Sequence, residues 1–171
     1  MSTRQLEHHE VQNNHKTFPI VVLCHDINSP ENIGMTFRIS EAMGVEKIYL
    51  SGDTPTPENK KVQKTSRSTE KYILHSYHSD VLPLLQQLKD DGYTLIALEV
   101  TNDSKVLSSV DFCAFEKIAL IPGNEQNGVS PDILELVDLS VEIPMYGKNT
   151  SINVVNATSI ALYEITKQLN R

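Results

Sequence analysis

Short apolar runs recur along the chain, separated by segments with a different periodicity. The first run, FPIVVLC, is nearly continuous and rich in β-branched residues, which is typical of a strand covered on both faces. Similar runs follow it, and each of them predicts a strand. The predicted strands are 18–24, 47–50, 72–74, 94–100, 118–121 and 140–143.

Between these runs, apolar residues repeat at spacings of three and four, which predicts helices. The tripeptide SPE at 29–31 predicts a cap and first turn for a helix that reaches Met43. A second helix is predicted over 81–88, with Gly92 as its stop signal, and a long last helix over 152–169. The alternation predicts an α/β fold, a single-domain parallel sheet flanked by helices, with ligands beyond the carboxyl ends of its strands.

A length of 171 residues, 39% of them hydrophobic, suits one core. We expect a polar, flexible tail over 1–17 and one domain over 18–171. The tail lacks the apolar segment of a signal peptide, and no run approaches the roughly 18 to 20 residues that span a bilayer. These features predict a cytoplasmic protein that makes no membrane contact.

The two cysteines, Cys24 and Cys113, lie in or beside apolar runs, which predicts buried thiols and no disulfide framework. The six histidines show no spacing typical of metal ligands, so we expect no metal.

The net charge of -7 argues against indiscriminate binding to nucleic acid, because the phosphate backbone selects basic surfaces. One local cluster of cations stands against this acidic background. The cluster has two interpretations, a solvated helix face or a surface that contacts RNA phosphates. Its members are Lys60, Lys61, Lys64, Arg67 and Lys71.

Three loops that follow predicted strands concentrate polar residues and glycines: NSPENIGMTFR, GNEQNGVS and IPMYGKNTSINVVNA. Each residue has an ordinary explanation when taken alone. Asn32 could cap a helix, and Arg38 could pair with Glu41 or Glu125. Gly123 and Gly128 could only supply turns. The chain contains no phosphate-binding P-loop, no dinucleotide fingerprint and no nucleophile elbow.

Taken together and in order, the three loops resemble the three motifs of SpoU-type (TrmH-like) RNA ribose 2'-O-methyltransferases of the SPOUT superfamily. The resemblance runs from about Phe18 to Leu169. The third motif reads SINV where the family usually has SLNV, a volume-conserving difference. The matching residues are Asn32, Gly34, Arg38 and Gly44, then Gly123, Glu125 and Gly128, then Ile143, Pro144, Met145, Ser151, Asn153 and Ala157.

The resemblance implies a carboxy-terminal trefoil knot whose loops bind S-adenosylmethionine. Glycine at 123 is then expected to let the backbone approach the ligand without a Cβ in the way. The implied cofactor-binding residues are Leu98, Gly123, Ile143, Met145, Ser151 and Ile152.

The family assigns to the arginine that matches Arg38 the removal of the 2'-hydroxyl proton. By the same resemblance Asn32 and Glu125 position this arginine and the ribose, and Ser151 with Asn153 completes the pocket. The implied activity is that of an S-adenosylmethionine-dependent RNA 2'-O-methyltransferase.

The favoured substrate is tRNA, because minimal family members resemble tRNA enzymes more than those with an added rRNA-binding domain do. The alternatives are an rRNA enzyme of the same class and a non-catalytic RNA-binding or assembly factor with this fold. The resemblance also implies a homodimer. We expect its interface to use the helix at 153–169, with Ile160, Leu162 and Ile165 on the buried face.

Overall fold

Residues 3–171 are described by a computed structural model, so the first two residues of the predicted tail lie outside the description. Within residues 3–171, seven strands form one parallel sheet. The strands are β1 Phe18–His25, β2 Val45–Ser51, β3 Leu74–His78, β4 Tyr93–Leu98, β5 Lys105–Val106, β6 Lys117–Pro122 and β7 Leu139–Glu142. Their order across the sheet is β3-β2-β1-β6-β4-β7-β5.

The helices are α1 Pro30–Ala42, α2 Lys60–Ser66, α3 Val81–Asp90, α4 Pro131–Leu134 and α5 Val154–Leu169. The predicted α/β fold with a parallel sheet and flanking helices is therefore confirmed. The trefoil knot stays a prediction. None of the helices within residues 3–171 is both long enough and apolar enough to cross a bilayer.

The sheet separates two hydrophobic cores, which explains why β1 is almost uniformly apolar. Ile20 and Val22 face the core that contains α1 and α5, and Val21 and Leu23 face the core that contains α3. Side chains alternate between the two faces of a strand, so a strand covered on both sides needs apolar residues at every position.

Two strands differ from the sequence prediction. The run at 72–74 predicted a strand, but the strand is Leu74–His78 and most of its side chains are exposed or half-buried. β3 lies at the edge of the sheet, so it needs no continuous apolar run. Lys105–Val106 escaped prediction because two residues are too few to show a periodicity.

Helix starts follow the polar residues that precede them. The Oγ atom of Ser29 accepts the backbone N–H of Asn32 at 3.2 Å, so Ser29 caps α1, as predicted. This cap leaves the side chain of Asn32 available for other contacts. The last helix begins at Val154, later than predicted, because Asn153 is its cap and accepts the N–H of Val155 at 2.9 Å.

Two expectations about burial were wrong in part. Leu162 and Ile165 are fully buried in the core of this chain, so they cannot face a second copy, whereas Ile160 is exposed.

Cys24 is buried as predicted, and burial, with a further contribution from the negative charge of Glu125, raises the pKa of its thiol to about 12. Cys113, by contrast, is an exposed residue because it lies in a surface turn.

Gly34 sets the distance between α1 and α2. A Cβ atom built on Gly34 would lie 2.6 Å from the carbonyl oxygen of Val62 and 2.9 Å from the backbone nitrogen of Ser66. Both contacts involve the backbone of α2, which cannot rotate away as a side chain can. Glycine at this position therefore allows the basic helix to pack directly on α1.

We predict that Gly34→Ala destabilises the protein by about 1 to 3 kcal/mol, because α2 must move to admit the methyl group. Urea unfolding measures the effect. The control is Gly147→Ala, where an added Cβ meets nothing within 4 Å. In an open helix alanine would stabilise by roughly 0.5 to 1 kcal/mol. Stabilisation by Gly34→Ala would therefore contradict the close packing of α1 and α2.

Candidate cofactor cavity and active site

A cavity of about 730 Å³ opens at the carboxyl ends of β4, β6 and β7. Its volume falls within the range of small-molecule sites. All six residues that the sequence assigned to the cofactor line it: Leu98, Gly123, Ile143, Met145, Ser151 and Ile152. Three of the five predicted catalytic residues, Glu125, Ser151 and Asn153, also lie on its wall.

The side chain of Asn32 joins two residues of this wall. Its Nδ2 donates to Glu125 Oε1 at 2.6 Å, and its Oδ1 accepts from Asn153 Nδ2 at 3.2 Å. Asn153 in turn uses its own Oδ1 to cap α5. One hydrogen-bonded chain therefore connects the three sequence motifs, although they are far apart in the sequence. Both ends of each amide are used, which fixes the orientation of the two asparagines.

The loop 123–128 is a closed turn that presents Glu125. Asn124 and Gly128 exchange two backbone hydrogen bonds, at 3.0 and 3.1 Å. The Asn124 side chain accepts the backbone N–H groups of Gln126 and Asn127 at 2.9 and 2.7 Å. An asparagine that caps its own turn is a common device for holding a short loop in one shape.

Gly123 and Gly128 both lie against a side chain of this protein, and the expected approach of Gly123 to the ligand stays a prediction. A Cβ on Gly123 or on Gly128 would collide with the carboxylate oxygen Oε2 of Glu99. Both glycines therefore make room for a side chain of this protein. Gly128 also has a φ of +67°, a conformation that favours glycine.

Arg38 lies outside the lining of the cavity. It is six residues beyond Asn32 on α1, which corresponds to a rise of about 9 Å along the helix. Its Nη1 approaches Met35 Sδ at 3.6 Å, and within residues 3–171 it forms no salt bridge. The alternative in which Arg38 pairs with Glu41 or Glu125 is therefore wrong. The structure brings the other four predicted catalytic residues together at the cavity and leaves Arg38 half-exposed on the helix that carries Asn32.

The basic cluster lies on and after α2, and all five of its members are exposed. Lys61 Nζ lies 3.8 Å from Glu31 Oε1 in the first turn of α1, next to Asn32. The other four cations form no salt bridge in the part of the chain that the structure describes. Through Gly34 and Lys61, the cluster is held against the helix that carries Asn32 and Arg38.

A serine, a histidine and an aspartate also lie in contact near the end of β1. Ser51 Oγ lies 2.8 Å from His25 Nδ1, and His25 Nε2 lies 3.2 Å from Asp26 Oδ2. Ser51 is fully buried, so its hydroxyl cannot reach a substrate. This set stabilises the turn after β1, where Asp26 has a φ of +53° and accepts the N–H of Asp53. Across residues 3–171, His, Cys, Asp and Glu side chains form no group of three arranged to hold a metal ion.

Sequence reasoning missed two glutamates of the cavity wall, Glu99 and Glu142. Glu142 accepts a hydrogen bond from the hydroxyl of Ser104. One signal was present in the sequence. Each glutamate stands at or just past the carboxyl end of an apolar strand, where a charged side chain faces the ligand edge of a parallel sheet.

Comparison with known proteins agrees with this geometry. A model of the SpoU rRNA Methylase family matches residues 19–163. The tRNA (guanosine(18)-2'-O)-methyltransferase of Thermus thermophilus is 29% identical over 152 residues, which cover 87% of this chain and 75% of that protein.

Solved structures share the fold. The TrmH/SpoU tRNA modifying enzyme of A. aeolicus has a TM-score of 0.81 and 27% identity, covering 91% of this chain and 78% of that chain. The AdoMet-bound rRNA methyltransferase of Sinorhizobium meliloti has a TM-score of 0.83, with 22% identity over 91% of this chain and 58% of that chain. The family match spans most of the sequence, and its three motifs meet at one cavity. This chain therefore belongs to the SpoU rRNA methylase family and is an RNA methyltransferase.

Proposed function

We propose that this chain transfers a methyl group from S-adenosylmethionine to a ribose 2'-hydroxyl of tRNA. The observation that carries the proposal is the hydrogen-bonded chain from Asn153 through Asn32 to Glu125 at the mouth of the cavity. A module that only bound RNA would have no need to couple a small-molecule cavity to polar groups on a neighbouring helix.

The cavity suits the proposed cofactor. Its volume lies in the range of sites for ligands of that size, and its wall combines apolar side chains with about as many polar ones. When bound, S-adenosylmethionine supplies a methyl group on a positively charged sulfur. Leu98, Ile143 and Ile152 would pack against its uncharged parts, and the polar loops around Gly123 and Ser151 would orient it.

The protein must also make the ribose hydroxyl a better nucleophile, which requires its proton to leave as the new bond forms. A guanidinium keeps its own proton at ordinary pH and is a poor base as it stands. Two routes follow for Arg38. An RNA phosphate can assist Arg38 in accepting the proton, or Arg38 can stay charged and stabilise the developing alkoxide while the proton leaves by another route. The absence of a carboxylate partner within residues 3–171 leaves its guanidinium available for either route.

We predict that Arg38→Ala lowers methyl incorporation into unmodified tRNA by at least about a hundredfold, the scale of losing one transition-state donor. Its affinity for S-adenosylmethionine, measured by calorimetry, should stay within about twofold of the wild type, because Arg38 lies outside the cavity wall. Arg38→Lys should not restore activity, since lysine lacks the planar fork.

Arg4→Ala is the matched control, because Arg4 pairs with Glu10 in the amino-terminal segment, away from the cavity. Near-normal turnover of Arg38→Ala would remove this residue from the mechanism. Failure of the folded wild type to bind S-adenosylmethionine at millimolar concentration would contradict the proposed function as a whole.

The basic cluster supports an RNA surface that extends from the site. Lys60, Lys61 and Lys64 are exposed on α2, and Arg67 is exposed at its carboxyl-terminal cap. Because α2 packs against α1, phosphates bound there would lie beside the proposed ribose site. Cations that contact phosphates release condensed counterions, which gives binding a steep dependence on salt.

We predict that replacing each of these four cations with glutamine lowers the slope of log affinity against log salt by roughly one unit. Binding to a tRNA transcript would be measured between about 50 and 200 mM salt. Lys117→Gln is the control, because Lys117 begins β6 at the opposite end of the strands. An unchanged slope in the fourfold variant would identify the cluster as a solvated helix face.

An rRNA substrate remains the second candidate within the same class, and the S. meliloti protein with the same fold is an rRNA methyltransferase. Mapping the 2'-O-methyl marks that disappear from tRNA and rRNA when the gene is deleted distinguishes the two. A lost mark in rRNA alone would replace tRNA as the substrate.

We further propose a homodimer that uses the exposed face of α5. Ile160 and Tyr163 are 43% and 59% exposed, and they lie on one side of the helix, opposite the buried Leu162 and Ile165. Exposed apolar side chains aligned along a helix are typical of an interface.

We predict that Ile160→Asp with Tyr163→Asp converts a dimer into a folded monomer, because a second copy would otherwise bury both side chains. Sedimentation velocity at micromolar concentration measures the change. Tyr72→Asp is the control, since Tyr72 is 76% exposed and lies far from α5 in the sequence. A wild-type protein that sediments as a monomer would refute the dimer.

A further inference from the structure

Glu99 is a charged residue directly after the buried strand β4. Its backbone N–H donates to the carbonyl of Val141, which continues the pairing of β4 with β7. The side chain is half-buried and forms part of the cavity wall. A carboxylate in such a position needs partners, because removing it from water without them is unfavourable.

The carboxylate is held by backbone groups. Oε2 accepts the N–H of Val129 at 3.1 Å, and Oε1 accepts the N–H of Val100 at 2.9 Å. Gly123 and Gly128 lie so close to Oε2 that a Cβ on either would require the carboxylate to move. Two glycines of the second motif are therefore fitted around this one carboxylate, which fixes its position at the wall.

Among the residues that the structure describes, no lysine or arginine pairs with Glu99. Among the described residues that line the cavity, none is a lysine or an arginine. Within residues 3–171, Glu99 forms no salt bridge. Its hydrogen-bond partners are neutral N–H groups, so Glu99 adds a negative charge to a wall that also carries Glu125 and Glu142.

We propose that Glu99 is a specificity-determining residue, whose carboxylate favours the positively charged methyl donor over the uncharged product. This inference rests on the proposed function. During transfer the carbon–sulfur bond breaks and the oxygen–carbon bond forms. The sulfur keeps the electron pair of the broken bond and becomes neutral, and the hydroxyl proton leaves the ribose oxygen. The ligand in the cavity thus loses one positive charge beside a fixed negative one, which weakens product binding.

Calorimetry with S-adenosylmethionine and with S-adenosylhomocysteine tests the proposal on the wild type and on Glu99→Gln. Glutamine keeps the shape, and its amide oxygen can still accept the N–H of Val129, although its amide nitrogen cannot accept the N–H of Val100. We expect the wild type to bind the donor more tightly than the product. Glu99→Gln should weaken donor binding by about fivefold to tenfold and change product binding by less than about twofold.

Glu116→Gln is the matched control, because Glu116 is exposed at the amino end of β6. In a steady-state assay, product inhibition should become stronger relative to the KM of the donor in Glu99→Gln only. An equal loss of affinity for both ligands would show that Glu99 only positions the loop. Unchanged affinity for both ligands would show that Glu99 neither positions the loop nor distinguishes donor from product. Either result overturns the inference and leaves the proposed function standing. A wild type that binds neither ligand would instead contradict the proposed function.

Discussion

The amide of Asn32 is the point on which the candidate site depends. A primary amide has one acceptor and one donor end, and here each end is committed to a different segment of the chain. Glu125 comes from a loop after β6, and Asn153 caps the last helix. The cap at Ser29 makes this possible, since it satisfies the start of α1 without using the Asn32 side chain. Ser29 therefore caps the helix locally, and Asn32, three residues later, joins distant segments of the chain at the site.

The glycines of the motifs have a related role, which is to admit close approach between parts of the protein itself. Gly34 admits α2, and Gly123 and Gly128 admit the carboxylate of Glu99. The glycines thus help to organise the basic surface and the cavity wall.

The sequence was sufficient to predict the class of fold, the principal strands and the position of the cavity. Buried strands such as β1 carry an unbroken apolar signal, and the helix starts carry capping residues. The edge strands were harder to predict, because β3 is largely exposed and β5 has only two residues. The role of Glu99 could not be inferred either, since a single glutamate after a strand has no periodicity and its partners are backbone groups distant in sequence. The sequence also could not show whether Arg38 forms a salt bridge. Within residues 3–171 it forms none, and Glu125 instead accepts a hydrogen bond from Asn32.

The strand order has a consequence for synthesis and assembly. β1, β2 and β3 are neighbours in both sequence and space, so that half of the sheet can form early. β6 lies between β1 and β4, and β7 lies between β4 and β5, so two of the last elements enter between strands made before them. Contacts of this kind are non-local and slow to form. A growing chain on the ribosome therefore holds β4 without its final neighbours until nearly all of the sequence has emerged, and only then can the cavity close.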